Sequence, residues 1–220
     1  MVVVVNGFPR ARSDGAATGH RFRAVLELVA AGDHTGGVRI FVAVPVPADV
    51  ADVLSGLERP TVEGLRWTMP EQWHVTMVFL GEVPEPAPVL EALRLVPGVL
   101  AEEYDAELGP VTAWFSGRRV LHVPVRGVEP LAAAVAHGLE GDSAAAIVSD
   151  EARPFVGHLT LARMRGARPG PGRLAGIPVH ASWPVESMAL MGSTLGPGGA
   201  RYETLESVLL RPSAGADGEP

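Results

Sequence analysis

The sequence predicts an α+β protein in which two antiparallel sheets, each backed by helices, form two lobes with pseudo-twofold symmetry about a central cleft. Three observations carry that expectation. Apolar runs of strand length alternate with short segments of helical periodicity. Their order is strand, helix, strand, helix, two strands, helix, strand, two strands, which suits antiparallel sheets better than a parallel βαβ array. Each half also contains a helix and a strand-like run that opens on histidine. With 220 residues, of which 47% are apolar and 20% charged, the chain can bury a sizeable core, and disorder as its main state is excluded.

Residues 1–37 combine a valine run, a Gly/Arg/Ser stretch and one helical pattern, Phe22 to Ala31, and read as a partly disordered N-terminal extension. Val38 to Val46 is β-branched and apolar, as a central strand would be. Pro47 suits the first turn of a helix whose Val50, Val53, Leu54 and Leu57 share one face. Trp73 to Leu80 is a second strand, closed by Gly81 and followed by a helix from Pro88 to Val96. Strands are expected near Tyr104 to Phe115 and Arg119 to Val125, then a helix from Pro130 to Leu139 with Leu131, Val135 and Leu139 on one face. His158 to Arg163 is again strand-like, and the stretch from Arg163 to Arg173 reads as an arginine-rich loop. Two closing strands, Val179 to Met191 and Tyr202 to Leu210, complete a domain over 38–211, and 212–220 is expected to be a disordered tail.

Composition removes whole classes of chemistry. All eighteen basic residues other than histidine are arginine, so a P-loop lysine, a lysine Schiff base and a lysyl-adenylate are impossible. The absence of cysteine rules out thiolate nucleophiles, cysteine-bound metals and disulfides. A net charge of −7 speaks against a broad basic surface for duplex nucleic acid, though not against a small anion site. No apolar run reaches membrane-spanning length, and the opening MVVVVN lacks the basic n-region of a secretory signal. A cytoplasmic protein is expected.

One motif is written twice: His74-Val75-Thr76-Met77 and His158-Leu159-Thr160-Leu161. Side chains alternate along a strand, so His74 and Thr76 are expected on one face, with Val75, Met77 and Phe79 on the other. His158 and Thr160 repeat the arrangement. Two imidazoles flanking a phosphate can divide general acid and base work near neutral pH, and two threonine hydroxyls can donate to its non-bridging oxygens. Such a mechanism needs neither metal, cofactor nor covalent intermediate, and no ligand spacing such as HExxH points to a metal.

These residues resemble those of the two-histidine (2H) phosphoesterases, and among them the bacterial RNA 2′,3′-cyclic phosphodiesterases, also called 2′-5′ RNA ligase-like proteins. The resemblance extends through VRIFVAVPVP, RWTMPEQWHVTMVFLGEV, EARPFVGHLTLARMR and SMALMGSTLGPGGARYETLESV. It implies metal-independent hydrolysis of an RNA-terminal 2′,3′-cyclic phosphate to a 2′-phosphate, with RNA 3′ ends or small cyclic-phosphate nucleotides as substrate and a monomeric enzyme. By motif position, His74 would protonate the 3′ leaving oxygen, His158 would activate water, and Thr76 and Thr160 would hold the phosphate. Phe41 and Arg153 occupy positions similar to substrate contacts in that family, for base stacking and anion binding. For Phe41 the competing reading is core packing, and for Arg153 an ion pair with Glu151. The same histidine pair would also serve 2′-5′ ligation or cleavage of 2′-5′ oligonucleotides or small cyclic nucleotides. A non-catalytic RNA-end-binding module is the rival from another class.

Two further expectations bear on the site. His122 alternates with Leu121 and Val123 and is expected in solvent more often than in the cleft. Gly157 stands where the family usually has proline, and a glycine there is expected to loosen the approach to the second histidine.

Overall fold

The computed structural model describes residues 38–83, 86–100, 103–139, 154–196 and 199–210. The expected extension 1–37, Arg153 and the tail 212–220 lie outside the described residues. Among the described residues, ten strands and three α-helices alternate largely in the expected order. They are β1 (Val38–Pro45), α1 (Ala48–Ser55), β2 (Leu65–Trp67), β3 (His74–Val83), α2 (Pro86–Leu95), β4 (Asp105–Leu108), β5 (Ala113–Trp114), β6 (Val120–Arg126), α3 (Glu129–Gly138), β7 (His158–Met164), β8 (Ala181–Pro184), β9 (Ser187–Gly196) and β10 (Gly199–Leu209).

Where two separate sheets are expected, the strands form one hydrogen-bonded path, β10-β9-β1-β3-β7-β6-β4-β8. Its two halves meet at β3 and β7 through the register pair Val75↔Leu159. All the pairings are antiparallel. β8 lies at one end of this path and β9 next to the other end, yet only Val185 and Glu186 separate them in sequence. The sheet must therefore curl until its ends approach, as a half-barrel does. The same fact explains why Val179 to Met191 is not one strand: the chain changes sheet edge within it. The expected strand from Tyr104 to Phe115 is likewise cut into β4 and β5. Gly109 takes φ 125, a conformation that glycine alone adopts readily, and Pro110 cannot donate to a ladder.

The three helices and most of the apolar side chains lie on one face of the sheet. Ile40, Val42 and Val44 of β1, Val75 and Leu80 of β3 and Leu159 of β7 join Leu54, Leu93, Leu131 and Val135 of the helices in a single core. The opposite face carries a second, smaller cluster of Phe41, Ala43, Ala189 and Met191, with Tyr202 packed against it. Alternation along β1 thus divides its side chains between a core and a second surface. No helix among the described residues is long and apolar enough to cross a membrane.

Candidate active site

Both histidine motifs open a strand, and their neighbours alternate as expected for three residues: His74, Thr76, His158 and Thr160 are half-buried, while Val75 and Leu159 are fully buried. Alternation then breaks at the same step in each motif. In β3, Val42 pairs with Val78 and Ala43 with Thr76, so Met77 is an extra, bulged residue. In β7, Leu121 pairs with Ala162 and His122 with Thr160, which makes Leu161 the bulge. Each bulge turns the following residues over. Phe79, expected with Val75 on the core face, instead stands with His74 and Thr76 on the other face, and Arg163 stands with His158 and Thr160. Those six side chains line one pocket together with Phe41, Tyr202, Arg39, Ser193, Thr68 and Gln72.

The bulge in β7 is held from outside the strand. Thr68 directs its backbone N–H to the Leu161 carbonyl at 2.8 Å, and its hydroxyl lies 2.8 Å and 2.9 Å from the carbonyls of Thr160 and Leu161. Trp73 Nε1 donates to the Thr68 oxygen at 2.9 Å, so the residue just before His74 is tied to the strand that carries His158. Gln72 reaches across to the closing hairpin and donates to the Ala200 carbonyl at 2.7 Å.

The two histidines have different surroundings. His74 has aromatic neighbours on two sides, Phe41 at 4.9 Å and Tyr202 at 4.9 Å between ring centroids, the latter edge to face. Burial pulls its pKa down to about 4; the Gln72 carbonyl acts in the opposite direction, and Arg163 and His158 add smaller depressions. Its Nδ1 is buried and makes no hydrogen bond of good geometry among the described residues. His158 donates from Nδ1 to the Val156 carbonyl at 2.8 Å, which leaves Nε2 carrying the lone pair in the neutral ring. Burial lowers its pKa as well, the Val156 bond opposes this, and Arg163 lowers it further. Thr76 stands opposite Ala43 on β1 and Thr160 opposite His122 on β6.

The other sequence expectations meet mixed outcomes. Phe41 lines the pocket but is 2% exposed, packed against the rings of His74, Phe79 and Tyr202. His122 is not in solvent: it is 6% exposed, stacked on Phe115 and set behind His158. Gly157 does not loosen the strand. It is buried, its carbonyl accepts from the Val125 N–H at 2.9 Å, and a Cβ there would lie 2.2 Å from the Val125 oxygen. The arginine-rich stretch begins inside β7, and Arg163 is its one member lining the pocket. Sequence reasoning missed Arg163 and Phe79 because the bulges are invisible to simple alternation. It also gave no role to Tyr202, which sits on the pocket face through its pairing with Ser193. Among the described residues, no three His, Asp or Glu side chains are grouped to hold a metal ion.

The chain is similar to several known proteins. Residues 41–120 match the family model described as LigT like Phosphoesterase. The chain is 32% identical over 196 residues to the RNA 2′,3′-cyclic phosphodiesterase of Thermus thermophilus, covering 82% of this chain and 94% of that protein. The crystal structure of TT0787 of Thermus thermophilus superposes with a TM-score of 0.67 at 33% identity, over 80% of this chain and 99% of that one. E. coli LigT complexed with 3′-AMP gives a TM-score of 0.58 at 26% identity, over 80% and 99% of the respective chains. With the paired histidine motifs on one pocket and a relative matched along nearly its full length, this chain belongs to the LigT-like phosphoesterases of the 2H superfamily.

Proposed function

We propose that this protein hydrolyses the 2′,3′-cyclic phosphate at an RNA 3′ end, or of a small nucleotide, to a 2′-phosphate, with His74 and His158 as the acid and base. The observation that carries this reading is the placement of both His/Thr couples and Arg163 around one pocket. The name of the Thermus relative supplies the substrate class. In the proposed reaction the Nε2 lone pair of His158 takes a proton from water, and the water oxygen attacks phosphorus. The bond between phosphorus and O3′ breaks while His74 delivers a proton to that oxygen. The Val156 bond supports this division, because it holds His158 in the tautomer a base requires. Thr76, Thr160 and Arg163 donate to the non-bridging oxygens, where charge gathers in the transition state.

An empty pocket keeps His74 neutral at neutral pH, since burial and, to a smaller degree, the Arg163 guanidinium disfavour its charged form. An incoming phosphate anion reverses that balance, so the substrate itself raises the affinity of the acid for its proton. Phe41 and Tyr202 hold the His74 ring, and Arg153 is retained as an anion contact on the resemblance alone. The halves β10-β9-β1-β3 and β7-β6-β4-β8 are read as two lobes related by a pseudo-twofold axis, with the pocket as the cleft between them and the domain spanning 38–211. The enzyme is read as a cytoplasmic monomer.

The test is hydrolysis of nucleoside 2′,3′-cyclic phosphates and of a short RNA with that terminus, in EDTA, with the product read by phosphorus NMR. A 2′-phosphate is expected, and His74→Ala and His158→Ala should each lose about 100-fold to 10,000-fold in kcat while keeping the native circular dichroism. A fully active double variant, or turnover that appears only with an added divalent ion, would overturn the mechanism.

A further inference from the structure

We propose that Thr68 is a positioning residue for the hydrolysis: its hydroxyl pins the bulge in β7 and so aims Thr160 and Arg163 together at the phosphate. The inference deepens the phosphodiesterase reading and rests on it.

The pairing of β7 creates the need for such a residue. Along one edge, β7 is paired with β3 at Leu159 and with β2 from Ala162 to Met164. Among the described residues no register pair covers Thr160 or Leu161 on that edge, and backbone carbonyls inside a sheet that lack a ladder partner must find another. Consecutive carbonyls of a regular strand point to opposite edges, so a single hydroxyl on one side does not reach both. Thr68 Oγ1 reaches both, at 2.8 Å from the Thr160 oxygen and 2.9 Å from that of Leu161. It is therefore matched to the bulged backbone and not to the regular one.

Thr68 is itself fixed at every polar atom. Its N–H donates to the Leu161 carbonyl, its own carbonyl accepts from Arg59 Nη1 at 3.4 Å, and its hydroxyl accepts from Trp73 Nε1. Arg59 in turn lies over the Trp73 ring, 5.0 Å from its centroid, and reaches the Leu54 carbonyl of α1 at 3.5 Å. The bulge is thereby tied to a helix of the main core. A hydroxyl has one proton to donate, and the two carbonyls take that of Thr68. Although Thr68 lines the pocket, it has no proton left for a substrate, and its influence reaches the phosphate through β7.

Thr160 opens the bulge and Arg163 follows it, so the turn between them sets the angle at which hydroxyl and guanidinium converge. Unbroken alternation would instead place Ala162 on the pocket face and send Arg163 towards the core, where an unpaired charge is costly. That cost demands some bulge, and Thr68 selects one geometry for it. Arg163 also lowers the pKa of both histidines, so the acid limb of the rate profile reports whether the guanidinium stands at its post.

The experiment measures kcat and KM for cytidine 2′,3′-cyclic phosphate over roughly pH 4 to 9 in the wild type, Thr68→Val, Thr68→Ser, Arg163→Gln and the Thr68→Val/Arg163→Gln double variant. Thr68→Val keeps the shape and removes the hydroxyl. It should lose about tenfold, mainly in kcat, and move the acid limb of kcat/KM to higher pH, the direction in which loss of the cation acts. Thr68→Ser should recover most of the rate and the position of the limb. In the Arg163→Gln background the same valine should cost less than about threefold, because the residue it positions is already gone. A merely structural Thr68 would lower kcat equally at every pH, leave the limb in place and add its full cost to Arg163→Gln, and that pattern overturns the inference. If Thr68→Val does not fold, the limb is read in Trp73→Phe, which removes the donor that orients the hydroxyl and leaves Thr68 in place; an unmoved limb there overturns it too. Absence of hydrolysis by the wild type brings down the phosphodiesterase reading instead.

Discussion

His158 and His122 meet edge to face, with ring centroids 5.8 Å apart and planes 83° from parallel. Phe115 lies flat against the far imidazole at 3.8 Å and stands perpendicular to the His158 ring at 4.8 Å between centroids. The base candidate is thus held from behind by two rings, one of them titratable. Burial depresses the His122 pKa to about 4, and His158 depresses it further in the same direction.

Acid stability follows from these imidazoles. Unfolded histidines take up protons near pH 6.5, whereas folded His122 and His74 do so near 4. Between those values the unfolded state binds more protons, so stability is full above about 6.5 and falls as pH drops towards 4. At about 1.36 kcal/mol per pKa unit, His122 alone accounts for on the order of 3 kcal/mol across that window. His122→Phe keeps a ring on Phe115 and removes the titration. Thermal melts should therefore show a smaller gap between Tm at pH 8 and Tm at pH 5 in the variant than in the wild type; equal gaps would show that His122 does not titrate in this way.

The pH dependence of catalysis should be displaced as well. The proposed mechanism requires one proton on the histidine pair in the free enzyme, and both imidazoles are held below 6.5. The kcat/KM profile is then expected to peak on the acid side of 6.5 and decline above it. A bound phosphate anion favours the protonated imidazole, so the basic limb of kcat should lie at higher pH than that of kcat/KM. Steady-state kinetics over roughly pH 4 to 9 would check both limbs.

Much of this site is legible in the chain, and the illegible part has a definite cause. His74, Thr76, His158 and Thr160 can be placed on one surface because period-two alternation holds for their three-residue span. One step later it fails at Met77 and Leu161, and simple alternation accordingly puts Phe79 on the wrong face. The bulge in β7 depends on Thr68, some ninety residues upstream, which no local pattern could connect to Leu161. Helix α3 is recognisable from Leu131 and Val135, while β2 is three residues long, too short for any periodicity. Tyr202 reaches the pocket only because β10 folds back on β9.

Arg163 affects both histidines in the same direction. Arg163→Gln removes a cation that lowers the pKa of His74 and His158, so the acid limb of kcat/KM should move to higher pH. Loss of a charged donor to the phosphate should also cost about tenfold to a hundredfold in kcat/KM. Arg163→Lys should recover the position of the acid limb more fully than the rate, because a point charge replaces the planar fork.

Gly157 should tolerate no side chain. A methyl group there meets the Val125 carbonyl oxygen at 2.2 Å and its carbon at 3.2 Å, both backbone atoms of β6. Gly157→Ala is expected to destabilise the protein by about 1–3 kcal/mol through forced displacement of β6 or β7. Urea unfolding would measure it, and a variant as stable as the wild type would show that the two strands can part without cost.

Val75 and Leu159, the register pair that joins the two halves of the sheet, each sit between the histidine and the threonine of their own motif. That single step of backbone is the zero mark from which both reactive couples are measured. Slipping one strand by a residue would carry its histidine about 3.3 Å along the seam and turn it towards the core while exposing the strand's apolar side chains, so the core itself opposes the slip. The spacing of His74 and His158 is therefore set by main-chain geometry, which point substitutions at the rim leave alone. The walls of the pocket can thus vary in sequence while the distance between His74 and His158 stays fixed.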